Sequence, residues 1–245
     1  MEPKNAHPQD ELLTLVRTLR VNIESGIDVG KPSSRLYMKG DAGRVAEASR
    51  KVQPAKKEAK RAVTLDDVKR ELGDCQRCEL GRVRTNIVFG EGDPRAEIVF
   101  VGEAPGADED MQGRPFVGRA GQLLTRIIAA MGLTRSDVYI CNILKCRPPG
   151  NRNPRPEEIA ACEPFLIRQL DAIKPSIICA LGTFAAHTLL KTEVPITVLR
   201  GKFHSYHRIQ LMPTYHPAFL LRNQGAKKQV WEDVQKIMKA LPGKS

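Results

Sequence analysis

The sequence predicts an α/β fold: a three-layer α/β/α domain built on a mostly parallel, four-stranded sheet, preceded by a flexible N-terminal extension. Three observations carry this reading. Short aliphatic runs alternate with stretches of helical period, and the runs are apolar at nearly every position, as in strands covered on both faces. Residues 25–63, by contrast, are polar and contain Gly, Ser, Pro and the run Lys56-Lys57-Glu58-Ala59-Lys60-Arg61, the composition of a basic linker. The boundary therefore falls near residue 64, separating an extension over 1–63 from a domain over 64–245.

Taken in order, Leu12, Leu13, Val16, Leu19 and Ile23 recur at helical spacing behind a capping Asp10, which predicts an amphipathic helix over 10–24. Such a helix suits docking on a partner protein or on the body of its own chain. Thr64 caps a short helix that delivers Cys75 and Cys78. Strands are expected at Ile98–Val101, Val138–Asn142, Ser176–Ala180 and Ile209–Met212. Helices are expected over Gly121–Met131, Pro156–Lys174 and Thr183–Leu190, and a last one ends near Leu241. In such sheets ligands bind at the carboxyl ends of the strands. Here those ends carry the glycine-rich loop 102–121, Asn142 and Tyr215-His216-Pro217. The loop is not a G-x-G-x-x-G fingerprint, so a dinucleotide site has little support.

The net charge of +11 and a pI near 9.5 favour a polyanionic partner, nucleic acid first. From Val194 to Gln229 stand six basic residues and no acidic one. No apolar run approaches membrane-spanning length and the opening lacks a signal-like pattern, so the chain is expected to be intracellular, in the cytoplasm with the nucleoid. Six cysteines in such a chain read as metal ligands and buried thiols. Cys75-x-x-Cys78, Cys146 and Cys162 form a split four-cysteine set, the later pair bracketing a basic, proline-rich loop. Spacing alone leaves zinc and an iron–sulfur cluster both open. Cys141 and Cys179 sit in apolar strands and read as small hydrophobes.

Gly-Glu-Ala-Pro-Gly at 102–106, Gly-Arg-Pro-Phe-Val-Gly at 113–118, Lys-Cys-Arg-Pro-Pro at 145–149 and His-Pro-Ala-Phe-Leu-Leu-Arg at 216–222 resemble, in order, the motifs of family 4 uracil-DNA glycosylases. The resemblance runs from about Cys75 to the C-terminal helix and leaves the extension outside. It implies a DNA repair enzyme that extrudes deoxyuridine, cleaves its N-glycosidic bond and leaves an abasic site, with a structural [4Fe–4S] cluster on Cys75, Cys78, Cys146 and Cys162. It further implies that Phe116 stacks on uracil, that Asn142 reads its Watson–Crick edge, and that His216 donates to O2. Glu103 and Ala104 then lie near the base and sugar. Ala104 stands where family 1 enzymes carry an aspartate, which leaves Glu103 and Glu109 as the carboxylates near the attacking water. Lys145, Arg147, Arg152 and Arg222 are expected at phosphates, and Leu220 or Leu221 in the gap left by the extruded nucleotide. The expected species is a monomer on single- or double-stranded uracil-containing DNA, without a dissociable cofactor. Two rivals stand beside it: a binding module on the same fold without turnover, and a glycosylase for another base such as hypoxanthine.

Overall fold

The computed structural model describes residues 63–241. The helix expected at 10–24 and its linker lie outside the described residues. Thr64 accepts from the Asp67 amide while the Asp67 carboxylate accepts from the Thr64 amide, a capping box that starts helix α1, Leu65–Leu72. Val68 and Leu72, on its inner face, bury against Phe165. That contact anchors the segment that carries Cys75 and Cys78.

The sheet holds six strands: β1 Glu91–Gly92, β2 Ile98–Gly102, β3 Tyr139–Asn142, β4 Ile177–Leu181, β5 His204–Tyr206 and β6 Ile209–Thr214, in the order β1-β3-β2-β4-β6-β5. The central four, β3, β2, β4 and β6, run parallel as the sequence predicts. Two short strands, β1 and β5, extend them antiparallel at the edges. The four-strand expectation is corrected on this point, because a two-residue strand ending in glycine shows no apolar alternation to read.

Every residue of β2, β3 and β4 is buried, and alternate residues serve opposite faces. Val99, Val101, Cys141, Ile178 and Ala180 pack on one side with Leu166 and Leu170 of α4, Pro156–Ile173, and with Ala185 and Leu189 of α5, Thr183–Leu190. Ile98, Phe100, Ile140, Ile177 and Cys179 pack on the other with Leu124 and Ile128 of α3, Arg119–Ala130, and with Val230, Val234 and Ile237 of α8, Lys227–Ala240. Two half-cores on one sheet make the three layers. Two further short helices matter to the site: α2, Ala107–Gln112, and α7, Pro217–Arg222; α6, Ile196–Leu199, lies between α5 and β5. Among the described residues no helix is long and apolar enough to cross a membrane.

Candidate active site

The register pairs Gly102 with Asn142 and Leu181 with Thr214, so the four parallel strands end level with one another. A cleft of about 760 Å³ opens there, lined by Glu103, Ala104, Glu109, Phe116, Asn142 and His216 together with rim residues. Chain segments far apart in sequence meet because sheet order puts their strand ends side by side.

Gly102 sets the closeness of the meeting. A Cβ at this position would lie 2.3 Å from Asn142 Oδ1 and 2.5 Å from Phe116 Cζ, so only glycine lets the amide and the ring share the floor. Asn142 is 1 % exposed, and its Oδ1 is a buried acceptor with no partner. An orphaned acceptor is costly in a folded chain and marks a place reserved for a donor.

Phe116 has φ +52°, a left-handed conformation that costs a non-glycine residue on the order of 1 kcal/mol or more. The surroundings enforce it. Arg135 Nη1 donates to the Phe116 carbonyl at 3.0 Å and Nη2 to the Pro115 carbonyl at 2.7 Å. Glu91 holds Arg135 in turn. Burial alone would raise the Glu91 carboxyl, but hydrogen bonds from Arg114 and Arg135 outweigh it and hold the group below its ordinary range. From the other side the Val117 and Gly118 amides donate to Glu109 Oε1 at 2.9 and 3.0 Å, and the Gly106 amide to Oε2 at 3.1 Å. Both oxygens of Glu109 thus accept from backbone amides that fasten α2 to the Phe116 loop.

His216 caps α7, and its ring lies 5.6 Å from that of Phe116, tilted by 33°. The Ala218 amide donates to Nδ1 at 3.1 Å, so Nδ1 is the bare nitrogen and Nε2 carries the proton. Burial lowers the ring to about 4, with the Glu109 charge opposing, so the imidazole is neutral at physiological pH. Gly182, at φ +89°, makes room behind it: a Cβ there would sit 2.8 Å from His216 Cβ. Glu103 enters the same cleft, and burial raises its carboxyl to about 7. A carboxyl raised that far is poised to change charge near neutrality.

Arg152 and Arg222 also line the cleft, but Arg152 spends its fork on Glu158, at 2.9 and 2.5 Å. Arg222 is exposed at the rim. Arg147 lies outside the lining, donating to Asn151 at 2.8 Å. Two expectations are overturned. Lys145 does not face phosphate: it is 1 % exposed and its ammonium donates to the Asn142 carbonyl at 2.7 Å. Leu220 does not project toward DNA: it is 1 % exposed within the core, with Leu221 packed against the same cluster. Pro217 and Leu220 form the buried face of α7, which turns Phe219, 38 % exposed and 4.9 Å from Tyr215, toward the mouth. A three-residue spacing of apolar positions from Pro217 was the available signal for Phe219.

The four cysteines approach one another beside the Asn142 wall. Cys146 interacts electrostatically with Cys162 and Cys78, and Cys162 with Cys78 and Cys75. Donors surround them: the Lys145 amide reaches Cys162 Sγ at 3.2 Å, Arg77 reaches Cys75 Sγ at 3.3 Å, and the buried Arg84 reaches Cys146 Sγ at 3.6 Å. Burial pushes the Cys146 thiol up to about 12, with Arg84 opposing. Among the described residues, no three His, Cys, Asp or Glu side chains converge as ligands of a single metal ion. A four-cysteine set of this kind suits zinc and an iron–sulfur cluster alike.

Comparison with known proteins agrees with this geometry. Residues 89–235 match the model of the uracil DNA glycosylase superfamily. The chain is 47 % identical over 182 residues to a type-4 uracil-DNA glycosylase of Archaeoglobus fulgidus, covering 71 % of this chain and 92 % of the relative. It is 47 % identical over 176 residues to the type-4 enzyme of Thermotoga maritima, covering 70 % and 92 %. Similarity to a type-5 uracil-DNA glycosylase of Pyrobaculum aerophilum is lower, 31 % over 193 residues, covering 65 % and 85 %.

Proposed function

The chain belongs to the uracil-DNA glycosylase superfamily, in its type-4 branch, and from that premise we propose that it extrudes deoxyuridine from DNA and hydrolyses the N-glycosidic bond, releasing uracil and leaving an abasic site. It is a hydrolase of N-glycosyl bonds. The single observation that best supports the detailed reading is the unpartnered, buried Asn142 Oδ1 set against the Phe116 ring over Gly102.

The base cannot be reached inside the stack, so it enters the cleft flipped. Phe116, already held in its strained conformation, offers its ring as a stacking surface and loses little entropy on binding. Asn142 Oδ1 accepts from uracil N3–H while the amide nitrogen donates to O4. Cytosine reverses both demands, and its misplaced groups would leave buried atoms unpaired. As the glycosidic bond lengthens, negative charge spreads onto uracil O2. The Nε2–H of His216 donates to that oxygen, and its neutrality is no handicap because a rigid, water-excluded dipole stabilises developing charge without a proton transfer. The sugar gains oxocarbenium character, and an ionised Glu103 stabilises that cation and orients the attacking water.

Arg222 at the rim is placed for phosphate, and Phe219 is the exposed apolar side chain of α7 available to fill the vacated stack. Cys75, Cys78, Cys146 and Cys162 would hold a [4Fe–4S] cluster, which when bound supplies covalent crosslinks between the Cys75–Cys78 segment, the loop after β3 and α4.

The test is free-base release from oligonucleotides carrying uracil, hypoxanthine or thymine opposite guanine, as single strands and duplexes. Uracil alone should be released. Binding without release of any base overturns the enzymatic reading, and preferred release of hypoxanthine overturns the base assignment.

A further inference from the structure

Asp233 is a fully buried carboxylate on α8 that stands outside the cleft and takes no part in base release itself. Its partners come from the strand end that leads to His216. Thr214, the last residue of β6 and 1 % exposed, donates from Oγ1 to Asp233 Oδ2 at 2.6 Å. Arg200 brings Nε to the same oxygen at 3.0 Å and Nη2 to Oδ1 at 2.5 Å, and Nη2 also donates to the Gln229 carbonyl. Gly201 packs close by: a Cβ there would lie 2.7 Å from Asp233 Oδ1, and its amide donates to the Pro213 carbonyl at 3.2 Å. A buried ion pair adds little net stability, because desolvation offsets attraction. What this one holds is direction: with both oxygens of Asp233 engaged, the Thr214 hydroxyl is pinned to α8.

Thr214 is held from the β4 side too. Its carbonyl accepts from the Gly182 amide at 2.8 Å, and Gly182 is the residue whose missing side chain makes room for His216. A single residue, Tyr215, separates this clamp from His216. The Tyr215 ring lies 5.4 Å from the Arg200 guanidinium carbon and 4.9 Å from the Phe219 ring. The clamp therefore fixes where β6 stops and where His216 begins α7.

We infer that Asp233, acting through Thr214 and Arg200, is the positioning residue for His216: it holds the end of β6 so that the Nε2–H of the imidazole meets the departing base. The inference rests on the role given to His216 under the proposed function. Asp233 touches no substrate atom; it sets the precision with which the donor is placed, and a displacement of about 1 Å costs on the order of a hundredfold in rate. The same bonds fasten α8 to the sheet, so a loss of stability does not by itself identify this role. Coupling to His216 does.

The test is a double-mutant cycle on the full chain, read by steady-state and single-turnover uracil release, with urea unfolding measured on each variant. Thr214→Val keeps the shape of the side chain and removes its hydroxyl, Thr214→Ser restores the donor, and each is made with His216 and with His216→Ala. With His216 present, Thr214→Val should lower kcat about tenfold and leave KM nearly unchanged, and Thr214→Ser should recover most of that loss. In the His216→Ala background Thr214→Val should cost less than about twofold, while the urea midpoint drops as it does with His216 present, which separates placement from stability. A tenfold loss in both backgrounds overturns the inference. So does a Thr214→Val enzyme with wild-type kcat, or a Thr214→Ser enzyme as slow as the valine one. Asp233→Asn, which leaves Arg200 without its charge partner, should show the same loss in kcat and the same coupling; should it not fold, the threonine cycle decides alone. A His216→Ala protein as fast as wild type overturns the role of His216 and this inference with it, an outcome visible before any Thr214 variant is made.

Discussion

The wall that carries Phe116 is fastened by bonds of its own, whereas the wall that carries Asn142 continues into the loop that bears Cys146. On the first, Arg135, Glu91 and Glu109 close a ring of ion pairs and backbone hydrogen bonds around residues 115–118. On the second, Arg77, Arg84 and the Lys145 amide donate to cysteine sulfurs, while the buried Lys145 ammonium donates to the Asn142 carbonyl. One wall of the pocket is thus closed on itself, and the other adjoins the four-cysteine set. The positive φ of Phe116 sits on the side fastened by its own bonds.

The sharpest way to break this contrast is to remove one thiol. Cys146→Ser should lose iron and sulfide, and with them several kcal/mol of stability, while cleavage by a protease appears first over 75–78 and 143–155. Early cleavage over 103–118 instead would reverse the assignment of the two walls. His216→Ala tests the element that serves both walls. It should lower kcat by about 10²–10³ with DNA affinity nearly unchanged, measured by single-turnover release and by binding to uracil DNA. Equal losses in rate and affinity would make it a strand-positioning residue.

Arg135→Gln loosens only the self-supported face. Roughly 1–2 kcal/mol of stability and about tenfold in kcat/KM should go, with iron content at the wild-type level, which urea unfolding and metal analysis would check. Loss of iron in this variant would show that the two walls are not independent. The smallest effect is in pH. With Glu103 acting as an anion and its carboxyl raised by burial to about 7, the single-turnover rate should climb between about pH 6 and 8 and level off, and Glu103→Gln should flatten the profile. The sign for stability is opposite. A carboxyl raised on folding contributes most below its unfolded value of about 4.5, and that contribution is lost as pH rises through about 7.

The parallel core was legible in the sequence because burial on both faces erases polar residues from β2, β3 and β4. The flanking strands were not, since β1 has two residues and neither alternation nor bulk. Phe116, Asn142 and His216 could be placed together because their motifs stand in the order of the family they resemble; the strand order that brings them side by side is seen only in the structure. The outward face of α7 was misjudged because six residues give periodicity too little length to show phase, and Pro217 rather than the leucine pair sets it. Lys145 was misread for a different reason. Lysine belongs on surfaces by default, and this one is buried with its ammonium on the Asn142 carbonyl, a contact that a lone basic residue after a strand does not announce.

The amide of Ala218 seals one nitrogen of His216, leaving the ring a single exchangeable hydrogen, on Nε2. Such a ring cannot shuttle: it has no second port through which to reload. Each turnover would therefore begin and end with the same histidine, and the departing pyrimidine would collect its hydrogen ion from bulk water after leaving the protein.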